Sequence, residues 1–223
     1  MVLVLLLAWF ANSIANGTGI TLFPFFLSDG LLASETQKNL LIFTYFASAV
    51  VGLPIWIWLG RYFDKARIWA CSIILVSVVF SPVPFLGEGD IFLFGVICLL
   101  SGLCLGADVA LPVSLFADVT DWDRYKTRLN RRSLLFSLWT LSQKLSMAIA
   151  AGFTLTLLAW FGFKTGGTNS EVALSALGYT YAWLPVALKI VVIALIWRFP
   201  LGTRAQLAIR ARLVAREKAN SVA

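Results

Sequence analysis

Apolar residues along this chain come in long runs, separated by short segments rich in charged and turn residues. A helix needs about 20 mainly apolar residues to cross ~30 Å of hydrocarbon. Six runs meet that requirement, at positions 2–27, 40–59, 68–86, 91–116, 134–163 and 174–197. The fifth is long enough to tilt. The first starts without a basic flank and carries Asn12, Ser13, Asn16 and Thr18, so it does not read as a cleavable signal peptide. The pattern predicts an all-α membrane protein, with a six-helix bundle over 1–199 and a basic tail over 200–223.

Composition agrees with this reading and narrows the chemistry. Of 223 residues, 60% are hydrophobic and 13% charged, well outside the range of water-soluble domains. The absence of histidine removes imidazole bases, His-activated nucleophiles and most zinc or haem ligation. The three cysteines, Cys71, Cys98 and Cys104, lie inside apolar runs without Cys-x-x-Cys spacing, and read as small buried hydrophobes.

Basic residues set the expected orientation, because Lys and Arg stay on the cytoplasmic side far more often than they cross. Most of the 18 fall on one face. These are Arg61, Lys65 and Arg67 between runs two and three, Arg124 to Arg132 between runs four and five, and the arginines from Arg198 onward. The opposite connections hold Lys38 and Lys164 among several acids, so both termini are expected to be cytoplasmic. Spread over three membrane-flanking segments, the net charge of +7 reflects topology and does not form a nucleic-acid patch. Leu207, Leu213 and Val214 between tail arginines predict a stretch able to lie on anionic lipid.

Three ionisable residues interrupt the runs, each costing about 2.5–3.5 kcal/mol on insertion scales near the bilayer centre. At 1.5 Å per residue, Asp108, Lys144 and Lys189 all fall roughly 13–16 Å from the basic ends of their helices, so pairing is possible. One aspartate faces two lysines. The unmatched lysine is expected to snorkel, to lose its proton on burial or to meet a carboxylate from another polypeptide; Lys189, nearer its basic helix end, is the better candidate for snorkelling.

Ser137, Thr140, Lys144, Ala148 and Gly152 form a narrow polar stripe on run five, flanked by Trp139 and Gln143, which should line a hydrated cavity. Asn12, Asn16 and Gly19 repeat the theme on run one. Run four carries Ser101, Cys104, Asp108 and Pro112, with Gly102 and Gly106 as a small-residue packing surface. The breaks in runs one and four occupy corresponding positions of two three-helix units, the pattern of inverted repeats in transporters.

The most specific stretch is Ala107-Asp108-Val109-Ala110-Leu111-Pro112, then Phe116-Ala117-Asp118-Val119-Thr120-Asp121-Trp122-Asp123-Arg124-Tyr125-Lys126-Thr127, then Arg131-Arg132-Ser133-Leu134-Leu135-Phe136-Ser137 and Gln143-Lys144-Leu145. It resembles the loop and helix signature of the glycoside-pentoside-hexuronide cation symporters, melibiose-permease-like members of the major facilitator superfamily. The likeness extends over all six runs and matches the second half of a twelve-helix transporter. It implies a sugar or glycoside substrate, a coupling Na⁺ or H⁺, no other cofactor, and alternating access between two bundles in a bacterial inner membrane.

By that resemblance Lys144 matches a lysine near the coupling-cation site, Thr140 and Trp139 match sugar-cavity positions, and Asp108 stands near the cavity wall. Asn12, Asn16 and Lys189 join them as cavity candidates. Asp118, Asp121, Arg124, Tyr125, Lys126 and Arg131 are candidate gate residues, with Arg61 and Asp64 in Gly60-Arg61-Tyr62-Phe63-Asp64-Lys65, which looks like a degenerate superfamily loop motif. The signature departs from the family pattern at Arg128, Arg132 and Ser133, where Gly, Glu and Gly are usual.

The family's cation-binding carboxylates belong to a first half that has no match here, and the chain opens directly in run one. A truncated or separately encoded half is therefore expected, completed by an N-terminal six-helix half or by a second copy. Two other readings remain: a stand-alone homodimeric pore or transporter, and an intramembrane lipid-modifying enzyme using Asp118, Asp121 and Asp123 to hold Mg²⁺.

Overall fold

The structure is a computed structural model, described for residues 1–200, 202, 205, 206, 208, 209, 211–213 and 215. Six helical segments long and apolar enough to cross a membrane make up the bundle, the first and third counted together with the short turns that follow them. They are α1 (Val2–Phe25), α2 (Glu35–Tyr62), α3 (Lys65–Phe80), α4 (Ile91–Thr127), α5 (Arg132–Trp160) and α6 (Glu171–Ile196). A wide π turn over Phe26–Gly30 extends α1, and a short 3₁₀ turn over Val83–Phe85 follows α3. No strand occurs among the described residues.

Local chemistry explains where several helices begin and end. Ser34 caps α2 through a reciprocal box with Gln37, and the Ser170 hydroxyl accepts the Ala173 N–H at the start of α6. The largest correction to the sequence-based boundaries is α4, expected to stop at 116 and in fact 37 residues long. At 1.5 Å per residue it measures about 56 Å, far beyond the hydrocarbon thickness. Charged residues end an apolar run without ending a helix, and Asp118, Asp121 and Asp123 each find a cation on the basic face. The helix stops only at Arg128, held left-handed with φ 61°, a conformation that costs a side chain roughly 1–2 kcal/mol.

The tightest seam joins α2 to α4. A methyl group at Gly102 would collide with the Tyr45 carbonyl and the Ser48 hydroxyl, and one at Gly106 would come within 2.7 Å of the Leu53 nitrogen. The Trp56 indole donates to the Leu103 carbonyl across the same seam at 2.7 Å. By contrast α5 buries one narrow line of side chains, Leu135, Trp139, Ser146, Ala150, Thr154 and Leu158, and packs mainly on α1.

Two apolar clusters fill the interior. One, around Leu5, Trp69, Phe116 and Ile196, lies toward the basic face; the other, around Leu22, Phe26, Phe94 and Tyr181, lies toward the opposite face. The intervening layer, at Asn12, Ser13, Asn16, Asp108 and Lys189, is polar. Described tail positions 205, 206, 208, 209, 211–213 and 215 are helical, whereas Arg204, Leu207, Arg210, Val214, Arg216 and Lys218 lie outside the described residues.

Candidate functional site

The polar layer is a closed network drawn from four helices. Asn12 and Asn16, one turn apart on α1, donate their amide N–H groups to Asp108 Oδ2 on α4 at 3.2 and 2.9 Å. Their carbonyl oxygens accept from Lys189 Nζ on α6, each at 3.1 Å. Lys189 stands 3.5 Å from Asp108 Oδ2, and the Trp69 indole on α3 donates to Asp108 Oδ1 at 2.6 Å. Each amide is fixed in one orientation, because turning it over would set donor against ammonium and acceptor against carboxylate. Asn12, Trp69, Asp108 and Lys189 are buried, so a charge pair that would be costly alone is neutralised and hydrogen-bonded throughout.

This arrangement corrects the assignment of the unmatched lysine. Lys189 does not snorkel; it takes the aspartate, because α6 turns it inward beside α1. The lysine left over is Lys144, exposed on α5 with no ion pair among the described residues. Beside it on the uncovered face lie Ser133, Ser137, Thr140 and Leu141, lining a shallow open depression with Phe136. The Thr140 hydroxyl donates to the Phe136 carbonyl at 3.0 Å, and Ser137 donates to Ser133, also at 3.0 Å, leaving both oxygens as acceptors toward the open side.

Trp139 sits elsewhere than the sugar-cavity position expected for it. One residue before Thr140 it faces inward, its ring 4.3 Å from Trp9 and 4.4 Å from Phe116. A rotation of about 100° per residue separates the packing side of α5 from its polar side. Trp139 therefore supports the wall and does not face the opening.

At the basic face, ion pairs join α3, α4 and α5 around Asp118, Asp121 and Arg131, three of the residues expected there. Lys65 donates to Asp118 at 2.6 Å, Arg131 grips Asp123 at 2.8 Å, and Arg132 meets Asp121 at 2.7 Å. Gln206 donates to Asp118, and Arg212 donates to the Tyr125 hydroxyl at 2.9 Å, so the tail also touches α4. Lys126 lies over the Trp122 ring, and the Arg124 carbonyl accepts the terminating Arg128 N–H. Asp64 stands at the N-cap position of α3 without a side-chain capping bond, with Arg67 3.9 Å away, while Arg61 is exposed in the last turn of α2. The three α4 carboxylates thus turn to three different cations instead of converging on one metal position.

A separate cavity of about 290 Å³ opens among α1, α2, α3, α4 and α6. Asn16, Asp108 and Lys189, with Ser72, Ser77, Ser101 and the Tyr45 and Tyr181 hydroxyls, supply its polar groups, and most of the remaining lining is aliphatic or aromatic. The sequence had not singled out Trp69; its signal is an indole in an aliphatic run, which needs a hydrogen-bond acceptor when buried.

A model of the MFS/sugar transport protein family matches residues 1–203. The chain belongs to this family. Six helices long and apolar enough to cross a membrane, together with this match, make it a multi-pass integral membrane protein of that family. A relative described as an uncharacterized symporter, from Synechocystis sp., is 22% identical over 204 residues. That alignment covers 89% of this chain and 38% of the relative, so the chain spans well under half the relative's length.

Proposed function

We propose that this bundle serves as one half of a cation-coupled symporter, moving a sugar or glycoside by alternating access against a facing six-helix half of melibiose-permease type. The observation that carries the reading is Lys144, an exposed lysine in the middle of an apolar helix, on the side of α5 opposite the line of side chains it buries against the bundle. An ammonium facing acyl chains there would be expensive. Facing a hydrated passage, with an acid supplied from the other half, it becomes a coupling group. Thr140 and Ser137 then offer hydroxyl oxygens to the substrate beside it.

The closed network of Asn12, Asn16, Asp108 and Lys189 has a different part in this scheme. It ties α1, α4 and α6 together, with Trp69 adding α3, so that these helices rock as one body. The brace of aspartates with Lys65, Arg131 and Arg132 holds the ends of α3, α4 and α5 in register during that motion. The basic face is cytoplasmic in this reading, with the protein in a bacterial inner membrane.

A symmetric pair of this chain is the weaker alternative, since it would set two Lys144 ammonium groups against one passage, and like charges repel. The test is reconstitution of the chain with a complementary six-helix half in liposomes. Labelled glycoside should accumulate only under a sodium or proton gradient. Gradient-independent flux, or none across a broad sugar panel, rejects the symport reading. Self-crosslinking of cysteines placed along α5 would favour the paired form.

A further inference from the structure

The 290 Å³ cavity inside the bundle has no use in the scheme above. No residue of α5 lines it, so it is separate from the Lys144 face. Its exposed margin is apolar, made by Ile20 on α1 and by Ile42 and Phe46 on α2. Further in, Phe23, Phe80 and Val186 line it beside the buried polar layer of Asn16, Asp108 and Lys189, and Ser72, Ser77 and Ser101, which donate to their own helices, add hydroxyl oxygens as acceptors. A volume near the lower limit of the ~300–1000 Å³ typical of small-molecule sites suits a single sugar-sized ring with a small apolar group, not an oligosaccharide.

The polar layer selects the head of a ligand. Asp108 and Lys189 already neutralise each other, so a charged head would find no spare counter-ion. Asn16 is only half-buried, and a primary amide has two N–H donors and two acceptor lone pairs. One N–H goes to Asp108 and one lone pair to Lys189, which leaves one donor and one acceptor for the cavity. Hydroxyl groups, donors and acceptors at once, complement that remainder. The walls select an apolar, preferably aromatic, body.

We infer that this cavity is a second binding site, for an uncharged aryl or alkyl glycoside held with its hydroxyls at Asn16 and its apolar group against Phe23, Phe46 and Phe80. The inference rests on the sugar or glycoside reading above and narrows the substrate class to glycosides bearing an apolar substituent. Its lining comes from α1, α2, α3, α4 and α6, so the isolated chain already presents the site. Gly19 provides a plug: it lines the cavity, and a Cβ added there meets nothing within 4 Å.

The test uses the full chain in lipid nanodiscs, titrated calorimetrically with 4-nitrophenyl glucoside, galactoside and xyloside, with the matching methyl glycosides, and with 4-nitroanisole. At least one nitrophenyl glycoside should bind about tenfold or more tightly than its methyl counterpart and than 4-nitroanisole. Gly19→Leu should weaken that binding about tenfold or more. As a measurement free of any variant, a 4-azidophenyl glycoside should photolabel peptides of α1, α2 or α3 in the unaltered chain. Absence of saturable binding by all three nitrophenyl glycosides overturns the inference. Equal binding of 4-nitroanisole, unchanged affinity in a folded Gly19→Leu chain, or labelling confined to α5 does the same. Binding without uptake in the reconstituted pair faults the symport reading alone, and uptake without binding to the isolated chain faults the cavity alone.

Discussion

Lys189 Nζ stands 3.5 Å from Asp108 Oδ2, longer than the ~2.7–2.9 Å of a direct charge-assisted bond. The pair is made largely through Asn12 and Asn16, whose amides face the carboxylate with nitrogen and the ammonium with oxygen. Removing one charge strands the other in a buried site, at a cost of about 3–5 kcal/mol. Lys189→Met or Asp108→Leu should therefore sharply lower the thermal unfolding midpoint. The double variant should recover much of the loss, because an apolar pair leaves no orphan charge. Purely additive losses in that cycle would count against the network.

Lys144 behaves oppositely. Exposed and without an ion pair among the described residues, it makes no contact that holds the bundle together, so Lys144→Ala should not lower the thermal unfolding midpoint. Gradient-driven accumulation by the reconstituted pair should nevertheless fall to background. Retained accumulation would remove Lys144 from the coupling role.

The α2–α4 seam leaves no room for a side chain at Gly102 or Gly106. Gly106→Ala should destabilise by about 1–3 kcal/mol or more through overpacking. Gly152→Ala on α5, where a Cβ meets nothing within 4 Å, should be neutral or stabilising by roughly 0.5–1 kcal/mol. Thermal unfolding of the two variants side by side reads the contrast directly.

Arg128 closes α4 with φ 61°, at a position where the resembling family usually has glycine. Arg128→Gly should raise stability by about 0.5–1 kcal/mol by relieving the left-handed backbone. A drop in the unfolding midpoint would mean that the arginine side chain contributes more than the strain costs.

Hydropathy made the six helices legible because spanning the hydrocarbon demands a minimum apolar length, and each run meets it. It misplaced the end of α4 because apolarity marks where the membrane stops, not where a helix stops. The depth of Asp108 and Lys189 was readable at 1.5 Å per residue, but their pairing was not. Which lysine meets the acid depends on the rotation of α6 about its axis, and that is fixed only when Tyr181, Val192 and Ile196 pack inward around it. The polar stripe of α5 was legible from its spacing, whereas Trp139 beside it faces the other way by a single residue's turn.

The single buried line from Leu135 to Leu158 has an evolutionary consequence. Along α5, the positions that hold the helix in place and the positions that would meet cargo alternate around one cylinder without sharing a side chain. Selection can retune the outward set, one residue at a time, while the inward set keeps the helix docked on α1. Changes in specificity on that face would then arrive without a folding penalty, which makes α5 the natural place to engineer a new preference.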